Sequence, residues 1–500
     1  MTTKPSLSKS RFMSGSQCHL RLWYETHARE LASEPDDNLQ AIFDTGHEVG
    51  ELACKRHPGG HLIAHDYLHT DEALDETRRV LAAGTAPALF EAAFRHQGVL
   101  VRVDILERLP EGGWGLIEVK SATRLKDAFV LDAAVQLWVL RGAGLDVREA
   151  GVLTLDRDYV YEGGALNLDA LFRLHPVLES TTELLDGIGE QVSEMQSMLS
   201  GPEAPDIGPG DHCFSPYSCP YYARCTRDVA LPDHGLDELP RLASTRRAQL
   251  EASGIDEIRD VPEDFPLSDL QRVVHQSVRA GHGLVHGDVQ GHLASLKKPV
   301  RYLDFETFLP AIPRFAGTRP YDAIPFLFSV HVERDGGSLE QMGYLHEGSD
   351  DPRQRLAERL LDALGRTGSI CSYSGYERQV LRALAEALPE RAAALGAVEV
   401  RLFDLLPVVR HNYYHPGFRG SFSIKNVLPA LVPGSGYDDL SVADGQTAAV
   451  RYVAALGSAD STERQRTFEE LRAYCERDTL AMVELRRALA KLEHGASSPS

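Results

Sequence analysis

The spacing of apolar and polar residues along the chain predicts a mixed α/β protein. Apolar runs of strand length lie at 89–94, 99–106 and 115–120, and short apolar runs bounded by polar turns are typical of buried strands. Residues 125–141 carry apolar side chains at helical spacing, and glycine follows directly, as it does after many helices. The first part of the chain is therefore predicted to contain several strands followed by a long helix.

The pattern changes at two places further along the chain. Between 233 and 298 the segments are short and helical, with proline and glycine between them, which indicates a helical linker. A strand-like run then opens at Val300, and the last helix is predicted near Phe468–Leu492. The chain thus divides into four predicted parts: a first domain at 1–232, the linker at 233–298, a second domain at 299–492 and a disordered tail at 493–500.

Chain length and composition agree with a soluble protein of two domains. A chain of 500 residues is too long for one ordinary hydrophobic core. The hydrophobic fraction of 43% and the charged fraction of 25% are those of a globular protein. No apolar run reaches the length of a membrane span, and the first residues lack the apolar core of a secretory signal. We therefore expect a cytoplasmic protein with no membrane partner.

The net charge and the cysteine count narrow the possible functions. A formal net charge of −21 argues against a surface that attracts nucleic acid everywhere. It still allows a local basic groove beside metal-binding acids. Seven cysteines, an odd number, argue against a disulfide framework in a cytosolic chain. The thiols are therefore candidates for another role.

Two carboxylates and a lysine form the first candidate site. Asp104 ends an apolar run, and thirteen residues separate it from Glu118, which is followed by Lys120 in Leu-Ile-Glu-Val-Lys. Because side chains alternate along a strand, Glu118 and Lys120 share one face. If the two strands pair, Asp104 meets Glu118, and two carboxylates suit Mg²⁺ or Mn²⁺. The alternative is an amphipathic hairpin that shows its charges to solvent.

The polar residues of the following helix extend this pattern. Gln136 lies on the long helix after the Glu-x-Lys strand, and this combination resembles the PD-(D/E)XK nucleases of the RecB type over about residues 7–228. Leu140 stands where the family's Q-x-x-x-Y motif has tyrosine. The resemblance implies a restriction-endonuclease-like fold. It assigns Asp104, Glu118 and the upstream Glu91 as metal ligands, Lys120 as the catalytic lysine and Gln136 as a residue that helps to position substrate.

The cysteine spacing suggests a bound metal group. Cys213, Cys219 and Cys225 fall within thirteen residues, and Cys18 lies far upstream. Zinc sites more often show closely spaced cysteine pairs, whereas four thiolates suit an iron–sulfur cluster equally well. One cysteine before a nuclease core and three after it resemble the RecB-like nucleases with iron–sulfur clusters, such as the CRISPR-associated adaptation nucleases and the AddB-type helicase–nucleases. The resemblance implies a [4Fe–4S] cluster held by Cys18, Cys213, Cys219 and Cys225. The remaining cysteines are predicted to be ordinary half-buried thiols: Cys54, Cys371 and Cys475.

A second group of acids lies in the last part of the chain. Asp304 and Glu306 are two positions apart on a predicted strand and so share one face. Tyr474 and Asp478 are four positions apart on a predicted helix and also share one face. Each pair alone is a common pattern.

A strand D-x-E and a helical Y-x-x-x-D resemble the DnaQ-like 3′–5′ exonucleases of the RNase H-like superfold. In that family the acids hold two metal ions and the tyrosine orients the attacking water. The resemblance assigns the metal ligands Asp304, Glu306, Glu377 and Asp478, with Tyr474 as the catalytic tyrosine. Glu377 stands where the family has aspartate, and Asp404 resembles a supporting aspartate rather than a ligand.

Together these patterns predict an α/β protein with a PD-(D/E)XK domain and an RNase H-like domain joined by a small helical segment. We expect a metal-dependent nuclease that uses Mg²⁺ or Mn²⁺ and acts on DNA at a free or single-stranded end, more as an exonuclease than as an endonuclease. One alternative is an inert or half-inert iron–sulfur scaffold that binds nucleic acid. Another is an RNA-processing nuclease. The sequence leaves open whether a protein partner, such as a helicase, is needed.

Overall fold

The computed structural model describes most of the chain and is mixed α/β, as the apolar pattern predicts. The described stretches are 5–229, 232–437 and 440–492. The tail at 493–500, predicted to be disordered, lies outside the described residues. Among the residues described, no helix combines the length and the apolar character needed to cross a bilayer.

The chain forms two compact units. The first unit comprises residues 1–230 and 310–322, and the second comprises 231–309 and 323–500. The segment 310–322, which the sequence places inside the second domain, therefore packs with the first unit. Its Ala311 and Ile312 are buried in an apolar cluster of that unit, with residues such as Val49 and Ile117.

The first unit is built on a seven-stranded sheet. Its order is β2-β3-β4-β5-β6-β7, with β1 parallel to β4, and β5 runs parallel to β6 while β4 is antiparallel to β3 and β5. The strand β4 continues four residues beyond Asp104, so this acid lies within the strand rather than at its end. The strands are β1 (Leu7–Ser8), β2 (His61–Leu62), β3 (Ala88–His96), β4 (Val99–Arg108), β5 (Trp114–Lys120), β6 (Val147–Leu155) and β7 (Phe172–Pro176).

One helix of the first unit is covered on nearly all sides. The helix α5 connects β5 to β6, packs on the sheet and is covered by α7. Because the helix is buried on nearly all sides, it has no polar face. Asp132 and Gln136 are polar residues that are nevertheless buried on it. The helices are α1 (Lys9–Gln17), α2 (His19–His27), α3 (Asp37–Cys54), α4 (Thr70–Ala83), α5 (Asp127–Gly142), α6 (Leu168–Leu171), α7 (Leu178–Ser200) and α8 (Tyr222–Thr226).

The second unit contains a five-stranded sheet and a small two-stranded one. The order of the larger sheet is β11-β10-β9-β12-β13, with β10 antiparallel to both neighbours and β9, β12 and β13 parallel. The strands are β8 (Leu284–Val285), β9 (Val300–Phe308), β10 (Ile324–Glu333), β11 (Leu339–Leu345), β12 (Ile370–Ser372), β13 (Leu402–Asp404) and β14 (Tyr413–Tyr414).

The last helix of the second unit packs directly on the central strands β9 and β10. This helix, α18, begins seven residues before the predicted start, because Asp460 caps it by accepting hydrogen bonds from the amides of Thr462 and Glu463. The helices are α9 (Ser244–Ala252), α10 (Asp269–Ala280), α11 (Val289–Ala294), α12 (Arg353–Leu364), α13 (Tyr376–Ala387), α14 (Ala392–Glu399), α15 (Leu405–Asn412), α16 (Ile424–Leu431), α17 (Gly445–Gly457) and α18 (Ser461–Leu489).

The stretch 233–298, which the sequence describes as a helical linker, is short and helical in the structure. It is also part of the hydrophobic core of the second unit. Leu250 and Val274 are buried in one cluster with Tyr302 of β9 and Met482 of α18. Such burial contributes to the stability of the unit, so this stretch is a packed part of it.

Candidate metal centres

The predicted hairpin in the first unit brings two carboxylates together. The strands β4 and β5 are antiparallel with Ile105 opposite Ile117, so the adjacent positions, Asp104 and Glu118, face each other. The amide N–H of Val119 donates a hydrogen bond to Asp104 Oδ2 over 2.7 Å. The sequence-based pairing of Asp104 with Glu118 is therefore present in the structure.

Glu118 is held by three donors. Its Oε1 accepts from Lys9 Nζ at 2.8 Å and from Lys120 Nζ at 2.7 Å, and its Oε2 accepts from Gln136 Nε2 at 2.6 Å. Burial raises the pKa of Glu118, but the ammonium groups of Lys9 and Lys120 outweigh this effect and the pKa lies well below its usual range. The Glu118 carboxylate is therefore ionised and fixed in orientation.

The structure adds two residues to this site that the sequence argument missed. Asp132 Oδ2 accepts from Lys120 Nζ at 2.6 Å, and its Oδ1 lies 3.1 Å from Lys9 Nζ. The signal for Asp132 was present, because a charged residue on a helix that is apolar all round needs a buried partner. Lys9 carried no such signal, since it lies 109 residues from Glu118 in the chain.

The pKa values of both lysines reflect this network. Burial alone would lower the pKa of Lys120, but the charges of Glu118 and Asp132 outweigh this effect. The pKa is therefore raised, and the ammonium form is stabilised. The same balance raises the pKa of Lys9. Burial and the neighbouring Glu118 raise the pKa of Asp104 well above its usual range. Asp104 is thus the carboxyl group in this site with the greatest need of a further cation.

Glu91 lies on the neighbouring strand β3, where its carboxylate contacts an arginine rather than the lysines of the site. It lies on β3 between Phe90, which pairs with Ile105, and Ala92, and so stands beside the position of Asp104. Its φ of 55° is unusual within a strand. The Glu91 carboxylate lies 3.2 Å from Arg102 Nε, and its side chain is 46% exposed. An ion pair with arginine therefore competes with the metal-binding role assigned to Glu91.

The raised pKa of the Cys54 thiol reflects the acids that lie near it. Burial raises the pKa of Cys54 to about 11, and the charges of Asp104, Glu91 and Glu51 raise it as well. These three acids therefore lie within electrostatic reach of one point. The end of α3, which carries Glu51 and Cys54, faces the same region as the hairpin.

The four cysteines assigned to a cluster line one cavity of the first unit. This cavity is bounded by Cys18, Cys213, Cys219 and Cys225, together with Arg21, His212 and Tyr221 among others. Cys18 lies at the junction of α1 and α2. The neighbouring Gln17 ties this junction to the cysteine-rich loop, because its Nε2 donates to the carbonyls of His212 and Tyr217 at 2.7 and 2.6 Å.

The thiols lie near one another but are not tightly packed. Burial raises the pKa of Cys225, and Cys219, Cys213 and Cys18 raise it further. All seven cysteines are free of disulfide bonds. Thiolates around a tetrahedral zinc ion would be about 3.8 Å apart, given a Zn–S distance near 2.3 Å. Among the described residues, however, no three of these cysteines form a group with sulfurs within 4.8 Å of one another.

The second unit contains a compact group of possible metal ligands. Asp304, Glu306 and Cys475 each offer one ligand atom, and these atoms lie within 4.8 Å of one another. Asp304 and Glu306 lie on the same face of β9, as their spacing predicts, and Cys475 approaches them from α18. The Cys475 sulfur is 3.4 Å from Asp304 Oδ2. The interpretation of Cys475 as an ordinary half-buried thiol misses this fully buried position next to two acids.

Two further acids surround this group. Asp478 lies one turn after Tyr474 on α18, and its charge raises the pKa of both Asp304 and Glu306. Glu377 lies in the first turn of α13, is 3% exposed, and acts on Asp304 as well. The side-chain oxygens Oε2 of Glu377 and Oδ1 of Asp478 are buried and have no hydrogen-bond partner. These four acids therefore converge on one buried region.

The turn before α13 is held by Asp404. Its Oδ1 accepts from the amide N–H groups of Ser374 and Leu406, both at 2.9 Å. Asp404 thereby caps α15 and fixes the turn that leads to Glu377. These contacts order the backbone of the turn, as expected for a supporting residue.

Tyr474 is oriented by a lysine that the sequence argument did not place. Lys425 Nζ lies 3.0 Å from the Tyr474 hydroxyl and also donates to the carbonyl of Ala443. Burial raises the pKa of Tyr474, and the charges of Asp478 and Glu306 raise it further. The phenol therefore keeps its proton and acts as a hydrogen-bond donor rather than as a base.

The acids of the second unit lack enough positive charge nearby. Burial raises the pKa of Asp304, Glu306 and Glu377, with that of Glu377 rising to about 8, and the neighbouring carboxylates add to each shift. Lys425 is the cation that opposes this effect on Glu306. A divalent ion would supply the missing charge, and carboxylate oxygens are the ligands that Mg²⁺ and Mn²⁺ prefer.

Comparison with known proteins finds a family model that matches part of the chain. A family model described as a domain of unknown function, DUF2779, matches residues 301–423. This match includes Asp304, Glu306 and Glu377 but ends before α18. No curated protein matches the chain. Among solved structures, the crystal structure of SSO0001 is 14% identical and is matched over 81% of its length and 41% of this chain, with a TM-score of 0.21. A TM-score this low carries no argument about the fold or the function.

Proposed function

We propose that this protein is a metal-dependent nuclease that hydrolyses phosphodiester bonds in DNA, acting at ends or on single strands. The observation that carries the proposal is the group formed by Asp304, Glu306 and Cys475, whose ligand atoms lie within 4.8 Å of one another. The charges of Glu377 and Asp478 act on Asp304 in the same region, next to Tyr474. The four acids and the tyrosine are assigned by the resemblance to DnaQ-like exonucleases. The second unit is accordingly proposed to be an RNase H-like exonuclease domain.

The charge of this region supports a metal site over a purely structural one. Buried carboxylates are costly unless they are paired, hydrogen-bonded or bound to metal. Glu377 Oε2 and Asp478 Oδ1 lack a hydrogen-bond partner, although both belong to a group of four acids, and Lys425 and Arg477 are cations that act on Asp478. Acids that stabilised only the fold would be expected to have such partners. Divalent ions bound here would lower the pKa of a water molecule and neutralise charge on the phosphate.

The protein's own groups would then orient the reactants. Lys425 holds the Tyr474 oxygen, and the phenol lies within hydrogen-bond reach of Asp478, so it is placed beside the proposed metal ligands. Asp304 and Glu306 are fixed by β9 and by the packing of α18 against it. Asp404 fixes the turn that leads to Glu377. Such fixed geometry is what a phosphoryl-transfer site requires, because small displacements reduce the rate severely.

The hairpin of the first unit is proposed as a second nuclease site, of the PD-(D/E)XK type. Asp104 and Glu118 would hold a divalent ion, and Lys120, whose ammonium form is stabilised, would interact with the phosphate and the attacking water. Gln136 holds Glu118 in place through a hydrogen bond of 2.6 Å. The support for this site is the pairing of the two acids across the hairpin with the lysine on the same face.

The four cysteines of the first unit are proposed to hold a [4Fe–4S] cluster. All four line one cavity, and their sulfurs are spaced too widely for a single tetrahedral ion in the present geometry. A cluster of several metal atoms accepts ligands that are further apart. Bound by Cys18 and the three later cysteines, the group would join two segments that are nearly 200 residues apart in the chain, which contributes to folding.

The experiment that tests the proposed function uses the full-length protein with Mg²⁺ or Mn²⁺ and end-labelled single- and double-stranded DNA and RNA. We expect DNA to be degraded from an end. Asp304→Asn combined with Glu306→Gln should remove one activity, and Asp104→Asn combined with Lys120→Met the other. Glu476→Gln is the matched control, because this exposed acid lies on α18 between Tyr474 and Asp478.

The outcomes separate the alternatives. Binding of DNA without cleavage, in the wild-type protein and in all variants, would favour the inert scaffold. Cleavage of RNA but not of DNA would identify an RNA-processing enzyme. Cleavage that survives the loss of both acid sets would show that neither site performs the reaction.

A further inference from the structure

Lys9 enters the first site from the beginning of the chain. The strand β1 runs parallel to β4, with Leu7 opposite Val99 and Ser8 opposite Leu100. Because β3 pairs along the other edge of β4, β1 lies on the same edge as β5 and points toward Asp104 and Glu118. Lys9 follows the last of these pairs directly. The Lys9 side chain is 20% exposed and reaches both Glu118 and Asp132.

The hydrogen bonds of Lys9 and its neighbours occupy most of the ligand positions in the site. A carboxylate offers about four lone-pair positions. Glu118 accepts from Lys9, Lys120 and Gln136, and Asp132 lies within hydrogen-bond or ion-pair distance of the same three groups. Asp104 accepts from the Val119 amide only among the described contacts. One metal position, beside Asp104 and the remaining position of Glu118, is therefore open.

The charges of the first site bear on how many divalent ions it takes. Asp104, Glu118 and Asp132 face the two ammonium groups of Lys9 and Lys120. With all three carboxyl groups ionised, the net charge is about minus one, and a single divalent ion reverses it. Without Lys9 the same groups would carry about minus two, so the Lys9 ammonium supplies positive charge that a second ion would otherwise supply.

We propose that Lys9 is a positioning residue that limits the first site to one divalent ion, because its ammonium stands where a second ion would otherwise be bound by Glu118 and Asp132. The inference rests on the first metal site of the proposed function. It goes further in that it specifies how many ions that site takes. Lys120 remains the lysine that faces the reacting groups, whereas Lys9 acts through the two carboxylates it holds.

Binding of Mn²⁺ tests this inference without any turnover. The measurement is made on the full-length chain carrying Asp304→Asn and Glu306→Gln, so that ions in the second unit do not contribute. Free Mn²⁺ is followed by electron paramagnetic resonance during a titration. We expect one ion that depends on Asp104 when Lys9 is present. Lys9→Met should admit a second ion, because the ammonium that stands between Glu118 and Asp132 is removed.

Two further variants keep the test decisive if Lys9→Met folds poorly. Lys9→Arg retains the positive charge and should keep a single ion, whereas Lys9→Gln removes the charge but keeps a donor and should behave as Lys9→Met does. Circular dichroism confirms that each variant is folded. A role confined to packing would change thermal stability in all three variants but leave the number of ions and their affinity unchanged.

The results distinguish failure of the inference from failure of the proposed function. Two ions in the presence of Lys9, or a single ion in folded Lys9→Gln, would overturn the role of Lys9 alone. Absence of any Mn²⁺ binding that depends on Asp104 would overturn both the inference and the first metal site. Nuclease activity is measured separately, so a protein that binds one ion but does not cleave DNA would retain the inference and lose the proposed function.

Discussion

The side-chain amide of Gln136 donates a hydrogen bond to Glu118 Oε2 over 2.6 Å. Gln136 is fully buried on α5, so this contact fixes the strand carboxylate from the helix side. The other oxygen of Glu118 then faces Lys9 and Lys120. A buried amide in this position orients an acid that is also held by two cations.

Substitution of Lys120 should separate metal binding from cleavage in the first site. In a protein whose second site is disabled, Lys120→Met should reduce cleavage by about 100-fold or more, as expected for the loss of a group that acts on the reacting atoms. Mn²⁺ affinity should change only modestly, since Asp104 and Glu118 remain. Asp104→Asn should lose both properties.

Lys55→Met is the control for Lys120, because Lys55 is exposed at the end of α3. Endonuclease and exonuclease products are counted on labelled DNA, and Mn²⁺ binding is measured on the same preparations. If Lys120→Met cleaves at the wild-type rate, the lysine has no part in the reaction.

Shortening Glu377 should preserve or raise the activity of the second site. The Glu377 side chain is buried with Oε2 lacking a partner, and burial raises its pKa to about 8. Glu377→Asp retains the charge, and we expect a rate between the wild-type value and about tenfold above it. Glu377→Gln removes the charge and should reduce the rate by about 100-fold.

These rates are measured with Lys120→Met present, so that the first site does not contribute. Glu386→Gln, at the other end of α13, controls for loss of an acid on the same helix. Equal rates for Glu377→Gln and its parent would exclude Glu377 from metal binding.

The cysteine cavity predicts an iron-containing protein. After anaerobic purification the wild-type protein should be brown and contain iron and acid-labile sulfide. Cys219→Ser should lower the iron content and the thermal stability, because the cluster joins Cys18 to the later cysteines and its loss removes folding energy. Cys54→Ala should retain the iron, since Cys54 does not line the cavity. Stoichiometric zinc without iron would contradict the cluster.

Acid should destabilise the second unit through His331. This histidine is buried on β10 with Nδ1 2.8 Å from the Thr479 hydroxyl, and burial lowers its pKa to about 4. Its pKa in the unfolded chain is about 6.5. The folded state therefore binds fewer protons at this site. The associated stability is present above about pH 6.5 and is lost as the pH falls toward 4.

The difference between wild type and His331→Gln isolates this effect from other titrations. Between about pH 7.5 and about pH 5, the wild-type protein should lose about 2 kcal/mol more unfolding free energy than the variant. Urea unfolding at both pH values, followed by tryptophan fluorescence and circular dichroism, provides the measurement. Equal losses of unfolding free energy in the two proteins would show that the pKa of His331 in the folded state is not lowered.

Local periodicity allowed much of this protein to be predicted from its sequence. The pairs Asp304 with Glu306 and Tyr474 with Asp478 each share a face, because a strand repeats every two residues and a helix returns after about four. These relationships depend on backbone geometry over a few residues, and so they can be predicted from a short stretch of sequence. The pairing of β4 with β5 was only a condition of the predicted site, and the antiparallel register of the two strands meets that condition.

Only the tertiary structure decided which distant groups complete each site. Lys9 reaches Glu118 across 109 residues because β1 adds to the sheet beside β4, and no local pattern specifies that partner. Cys475 lies beside Asp304 because α18 packs on β9. The Tyr321 hydroxyl donates to the carbonyl of Ser121 because residues 310–322 pack with the first unit. Contacts of this kind depend on how whole elements bury their apolar faces, and that arrangement minimises the free energy of the unit as a whole rather than of any short segment.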